Sequence, residues 1–168
     1  MEILVKNLQT KIKVEPGVFD LVQKVVRVGF EEEGIGPGAE VSICFVDDDY
    51  IRALNRRYRG EDRATDVLSF PMDEFLGLDG SLGPAGPSGP SGPHRAGLEE
   101  NTDRKELLLG DIVISLERAR AQGEEYEHGF RRELCYLVAH GLLHLLGYTH
   151  ENEDEKRLMR LKEEKILG

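Results

Sequence analysis

Phe130-Arg131-Arg132-Glu133-Leu134-Cys135-Tyr136-Leu137-Val138-Ala139-His140-Gly141-Leu142-Leu143-His144-Leu145-Leu146-Gly147-Tyr148-Thr149-His150 is the stretch on which the reading turns. Phe130 to Leu146 is the most apolar helical run in the chain. His140 and His144 stand at i and i+4, one above the other on a single helix face. Gly147 can take the left-handed conformation that ends a helix. The chain then turns, and His150 can swing back towards the first two histidines.

The remaining elements follow outward from that helix. Residues 2–6 alternate charged and aliphatic side chains, as a first strand does. Pro16 opens a helical pattern whose Val18, Leu21, Val22, Val25 and Val26 share one apolar face. Gly34 is its natural stop. Val41 to Val46 reads as a buried strand, rich in β-branched residues. Asp47 or Asp48 can cap a helix reaching about Tyr58, with Ile51 and Leu54 facing inward. Val67 to Phe70 predicts a short strand ended by Pro71. Residues 107–114 predict another buried strand, and Ser115 can cap the helix after it. A final charged helix covers about 152–166, with Leu158, Leu161 and Ile166 as its expected inner face. The order predicts an α/β (α+β) fold over residues 1–168, one domain with a roughly four-stranded mixed sheet packed by about five helices.

One segment departs from this grammar. Glycine recurs every third residue at Gly77, Gly80, Gly83, Gly86, Gly89 and Gly92, and proline follows four of them. The repeat is collagen-like. Six triplets flanked by strands are too few for a stable triple helix, so residues at about 77–97 read as a disordered surface loop without chemistry.

Composition narrows the classes of function. The chain has 168 residues, 39% apolar and 32% charged, enough for one domain with a real core. No run approaches the roughly 20 apolar residues that span a bilayer. The start at Met1-Glu2-Ile3-Leu4 carries no signal-peptide pattern, so a cytoplasmic protein is expected. Cys44 and Cys135 lie among apolar neighbours and read as buried reduced thiols. The formal net charge of −10 argues against indiscriminate nucleic-acid binding, and no DNA partner is expected. Yet residues 52–63 carry Arg52, Arg56, Arg57, Arg59 and Arg63, either a basic spot for RNA or a solvated helix face.

The histidines carry the chemistry. Three nitrogens from His140, His144 and His150 can hold one zinc ion at about 2.0–2.1 Å and leave a fourth position open, as catalytic sites do. Cys135 sits on another face and cannot close the site. His94 and His128 read as ordinary surface residues. The spacing His-x-x-x-His-x-x-Gly-x-x-His resembles the zinc site of metzincin proteases, which carry a glutamate directly after the first histidine as general base. Here that position is Gly141, so the likeness supports a metal and argues against a peptidase.

Three blocks taken together resemble the YbeY family of metal-dependent endoribonucleases, which act in ribosomal RNA maturation. They are His140 to His150, Leu109-Gly110-Asp111-Ile112-Val113-Ile114, and Asn55-Arg56-Arg57-Tyr58-Arg59-Gly60 with Thr65-Asp66-Val67-Leu68-Ser69-Phe70-Pro71. They occur in the family's order over nearly the whole chain. Thr149 stands where most members carry Asp, and the glycine-triplet loop is longer than expected. The resemblance implies zinc on His140, His144 and His150, and Arg59 as the functional arginine. A guanidinium grips phosphate oxygens bidentately and can stabilise charge building in a transition state; otherwise Arg59 pairs with Glu61 or Asp62. It also implies ribosomal RNA and the small ribosomal subunit with its assembly factors as partners. Asp66 and Asp111 are candidates for acid–base or orienting groups, and either can equally be a turn or cap residue.

Three functions therefore compete: a zinc-dependent single-strand endoribonuclease in ribosomal RNA processing, at the 3′ end of small-subunit RNA, and in ribosome quality control; a non-catalytic zinc-stabilised RNA-binding or ribosome-binding factor; and a zinc hydrolase of another substrate.

Overall fold

The computed structural model describes residues 2–72 and 107–168. The glycine-triplet segment and His94 lie outside the described residues. Four strands, β1 (Glu2–Asn7), β2 (Ala39–Val46), β3 (Val67–Pro71) and β4 (Leu107–Ser115), form one sheet in the order β1-β2-β4-β3. β1 and β2 are parallel, β2 and β4 are parallel, and β3 runs antiparallel to β4. The five helices among the described residues are α1 (Pro16–Glu32), α2 (Asp48–Arg59), α3 (Leu116–Glu125), α4 (Gly129–Leu145) and α5 (Glu153–Leu167).

Local chemistry sets the helix ends. Pro16 occupies the first turn of α1, where a missing N–H costs nothing. At its other end Gly34, at φ +67°, lets Ile35 N–H reach back to the Phe30 carbonyl at 2.9 Å. Asp47, not Asp48, caps α2 by accepting from Tyr50 N–H. Ser115 caps α3, and its hydroxyl also donates to Asp48 at 2.7 Å.

The sheet is amphipathic in two unequal ways. Val41, Ile43, Phe45, Ile112 and Ile114 face the larger core with α1 and α4. Val46, Leu68, Phe70 and Val113 face a smaller core closed by Ile51 of α2. Helix α4 is the centre of the packing, touching α1, α3, α5, β3 and β4. It lies so close to β4 that a Cβ at Gly141 would stand 2.7 Å from Ile112 Cγ2. Among the described residues β3 is an edge strand, and its residues line the groove described below.

One expected face is corrected. Leu158 and Leu161 are 45% and 53% exposed, whereas Met159, Glu163 and Ile166 are buried. The true stripe runs i, i+4, i+7 and contains a glutamate, which a purely apolar reading skips. Glu163 is accepted there because it meets His140. In metal-free protein, Met159→Ala is expected to cost about 2–5 kcal/mol in urea unfolding. Leu161→Ala should stay within about 0.5 kcal/mol of wild type.

Candidate metal centre

Helix α4 presents His140 and His144 one turn apart, with their Nε2 atoms 3.1 Å from each other. The helix ends at Gly147, at φ +104°, with Gly147 N–H donating to the His144 carbonyl at 3.1 Å. Tyr148 N–H donates to the Leu143 carbonyl at 3.0 Å, completing a Schellman turn. That turn reverses the chain and brings His150 over the pair. Its ring centroid lies 5.5 Å from that of His140 and 5.0 Å from that of His144. One nitrogen from each of the three histidines falls within 4.8 Å of the others.

The tautomers follow from the outer nitrogens. His140 Nδ1 lies 2.6 Å from Glu163 Oε2, and His144 Nδ1 lies 2.9 Å from the Tyr148 carbonyl oxygen. A carbonyl and a carboxylate can only accept, so both Nδ1 atoms carry the hydrogen. In the neutral rings both Nε2 atoms then present lone pairs, aimed at one another with no donor between them. Tetrahedral bonds of about 2.0–2.1 Å would place two ligand nitrogens about 3.3 Å apart, close to what is seen. The donor set therefore fits a cation, with Glu163 and the Tyr148 carbonyl as the outer partners that metal-bound histidines need.

Electrostatics agree. Burial, then the neighbouring His140 and His150, push His144 down to about 4. It is neutral, and ready to ligate, through the physiological range. Tyr136 stacks on His140 with centroids 5.7 Å apart. Burial, then Glu163, Glu133 and Asp66, push its phenol up to about 12, so Tyr136 stays protonated beside His140.

The histidines floor an open groove of about 440 Å³, also lined by Arg59, Asp66, Val67, Leu68, Ser69 and Pro71. Arg59 crosses the edge of β3. Its guanidinium donates to the Ser69 carbonyl at 2.9 Å and lies 5.0 Å over the Phe70 ring. Ser69 in turn donates its hydroxyl to the Gly141 carbonyl at 3.1 Å, beside His140. One strand residue thus fixes the arginine relative to the histidine helix. Of the neighbouring arginines, Arg52 pairs with Asp62 at 2.8 Å and Arg63 with Glu61 at 2.7 Å.

The two aspartates part company. Asp66 lines the groove, accepts from Val67 N–H at 2.8 Å, and so also acts as a turn residue. With its amide nitrogen facing the acids, Gln122 donates to Asp66 Oδ2 at 3.3 Å and to buried Glu133 at 2.8 Å. Asp111 lies beyond the groove, paired in register with Ser42 on the sheet face opposite Ile112 and α4. Burial raises its carboxyl, against lowering by Ser42 and Lys6. His128, read as an ordinary surface residue, contacts Glu133 at 2.7 Å. Cys44 is half-buried, Cys135 is buried, and both thiols are free.

Sequence reasoning missed Glu163 and Glu33. Glu33 is buried and accepts from the Tyr148 hydroxyl at 2.6 Å, with Lys162 Nζ at 3.0 Å from its other oxygen. It anchors the residue whose carbonyl holds His144. Both glutamates sit in acidic runs, Glu31–Glu33 and Glu151–Glu164, where nothing local marks one carboxylate as inward-facing.

The family model described as Endoribonuclease YbeY matches residues 4–168. A relative from Desulforamulus reducens, named Endoribonuclease YbeY, is 50% identical over 99% of this chain and 95% of its own length. One from Pelotomaculum thermopropionicum, of the same name, is 46% identical over 100% of this chain and 96% of its own. The solution structure of TM1509 from Thermotoga maritima superposes with a TM-score of 0.57 at 25% identity, covering 98% of this chain and 86% of that one. A mixed α/β layer with a histidine triad in an open groove is the architecture of a metal-dependent hydrolase. The chain belongs to the endoribonuclease YbeY family.

Two outcomes are expected. Glu163→Ala, which strands His140 Nδ1, should weaken metal binding about 10–100-fold by competition with a chromophoric chelator. The second concerns pH. The unfolded chain binds a proton at His144 near pH 6.5, whereas the folded chain resists until about 4. Between those values the unfolded state holds more protons, so stability of the metal-free protein should fall as pH drops from 7 towards 4. The contribution is at most on the order of 3 kcal/mol. Urea unfolding of His144→Gln across that range should show a flatter profile than wild type.

Proposed function

We propose that this chain is a zinc-dependent endoribonuclease that cuts single-stranded RNA in the cytoplasm. Its substrate is ribosomal RNA, with the 3′ end of the small-subunit RNA as the maturation site. The small subunit and its assembly factors are its partners, and ribosome quality control is part of the same role. The observation that carries the reading is the pair of converging Nε2 lone pairs at the floor of a groove rimmed by Arg59. The names of the relatives supply the reaction class.

His140, His144 and His150 hold the ion. Bound there, zinc supplies Lewis acidity at the scissile phosphate. Arg59, permanently charged, clamps the phosphate oxygens and stabilises charge as it builds. Asp66 is the groove's carboxylate and takes the proton from the attacking hydroxyl, water or ribose 2′-hydroxyl. Asp111 has no part in this chemistry, because it faces away from the groove. The open groove suits an extended strand better than a duplex, since bases can splay along it. A peptidase is disfavoured: Gly141 abuts Ile112, and a glutamate general base has no room there.

Purified protein incubated with ribosomal RNA and, in parallel, with casein should cleave the RNA alone. Arg59→Ala and His144→Ala should each reduce cleavage by at least about 100-fold, the scale of losing one transition-state donor. A 2′,3′-cyclic phosphate end would identify the ribose hydroxyl as nucleophile. Folded, metal-loaded protein that leaves both free RNA and assembled ribosomes intact would favour the non-catalytic binding factor.

A further inference from the structure

His150 is the weak member of the triad. His140 and His144 ride on a buried helix, whereas His150 sits on an exposed turn between α4 and α5. Its two chain neighbours share one acceptor. Thr149 Oγ1 donates to Glu155 Oε1 at 2.6 Å, and Glu151 N–H donates to the same oxygen at 3.0 Å. Glu155 is itself fixed, because its own N–H donates to Asn152 Oδ1 at 2.9 Å in the cap of α5. The turn is thus clamped on both sides of the histidine by a side chain from the next helix.

We infer that Glu155, through Thr149 and the Glu151 amide, positions His150 as the third metal ligand. This rests on the reading of the triad as a metal site. Glu155 touches neither the ion's position nor the groove; it is a positioning residue. Holding the turn lowers the entropy lost when His150 closes on a cation, as preorganisation does in any binding loop. Hydrogen bonds from the Thr149 hydroxyl, then from the Glu151 amide, then from Asn152, hold the Glu155 carboxyl below the usual range, so the acceptor is present at neutral pH. In this chain Thr149 supplies a donor to the clamp, and its hydroxyl suits a carboxylate partner in a way that an acid there would not.

The test is Co²⁺ titration of the metal-free full chain, reading affinity and the d–d absorption of a tetrahedral site, with no activity assay. His150→Ala sets the signal for a missing third ligand. Glu155→Ala should weaken binding at least about tenfold and shift the spectrum towards that of His150→Ala. Glu155→Gln keeps the accepting Oε1 and should stay within about threefold of wild type, apart from charge at the helix start. Lys156→Gly weakens α5 without touching the clamp and should bind like wild type. Wild-type binding by Glu155→Ala, or an equal loss in Lys156→Gly, would overturn the positioning role. Failure of wild type to bind Co²⁺ or Zn²⁺ would instead overturn the metal site itself.

Discussion

The close approach of α4 to the sheet at Gly141 is the constraint on which the rest depends. With no side chain at that position, the helix settles against Ile112 and its carbonyl reaches the Ser69 hydroxyl. That depth decides how far His140 and His144 stand above β3, and therefore where the groove has its floor. The glycine that replaces a protease's glutamate is a packing residue. The contact that removes one chemistry also places another, because Ser69 holds Arg59 through its carbonyl on the same strand.

Around that contact the molecule spends carboxylates on holding other groups still. Glu163 fixes the His140 ring, Glu33 anchors Tyr148, and Tyr148 holds His144. Glu155 pins the turn that carries His150. Each ligand has its own brace: Glu163 and Glu155 come from α5, and Glu33 from the C-cap of α1. A buried carboxylate behind an imidazole, as Glu163 stands behind His140, raises the ring's basicity towards a cation. The net charge of −10 is compatible with a polyanionic substrate. Part of that acid lies beneath the groove, while Arg59 in the last turn of α2 stands at its rim.

Much of this was legible in the residues. Pro16, Asp47, Ser115 and Gly147 announce helix ends by local chemistry, and alternation or apolar runs announce strands, so the element order needed no coordinates. The triad was legible because i, i+4 spacing and a glycine stop are local geometry. The inner face of α5 was not, because Met159-Glu163-Ile166 becomes a stripe only when something polar waits opposite the glutamate. Asp66 and Asp111 looked alike in sequence, yet Asp66 lines the groove just before β3, whereas Asp111 lies in β4 on the sheet face opposite α4.

By itself, then, the sequence determined the strands and helices, their ends, and which three imidazoles can share an ion, because these depend on neighbours within a turn or two. Only the tertiary structure decided which carboxylates hold those imidazoles, that Arg59 stands at the groove and Asp111 does not, and why residue 141 is glycine. Those answers depend on pairs such as His140 with Glu163 and Ser69 with Gly141, separated by 23 and 72 residues. A hydrogen bond across such a distance is set by packing, and no local pattern in the chain records it.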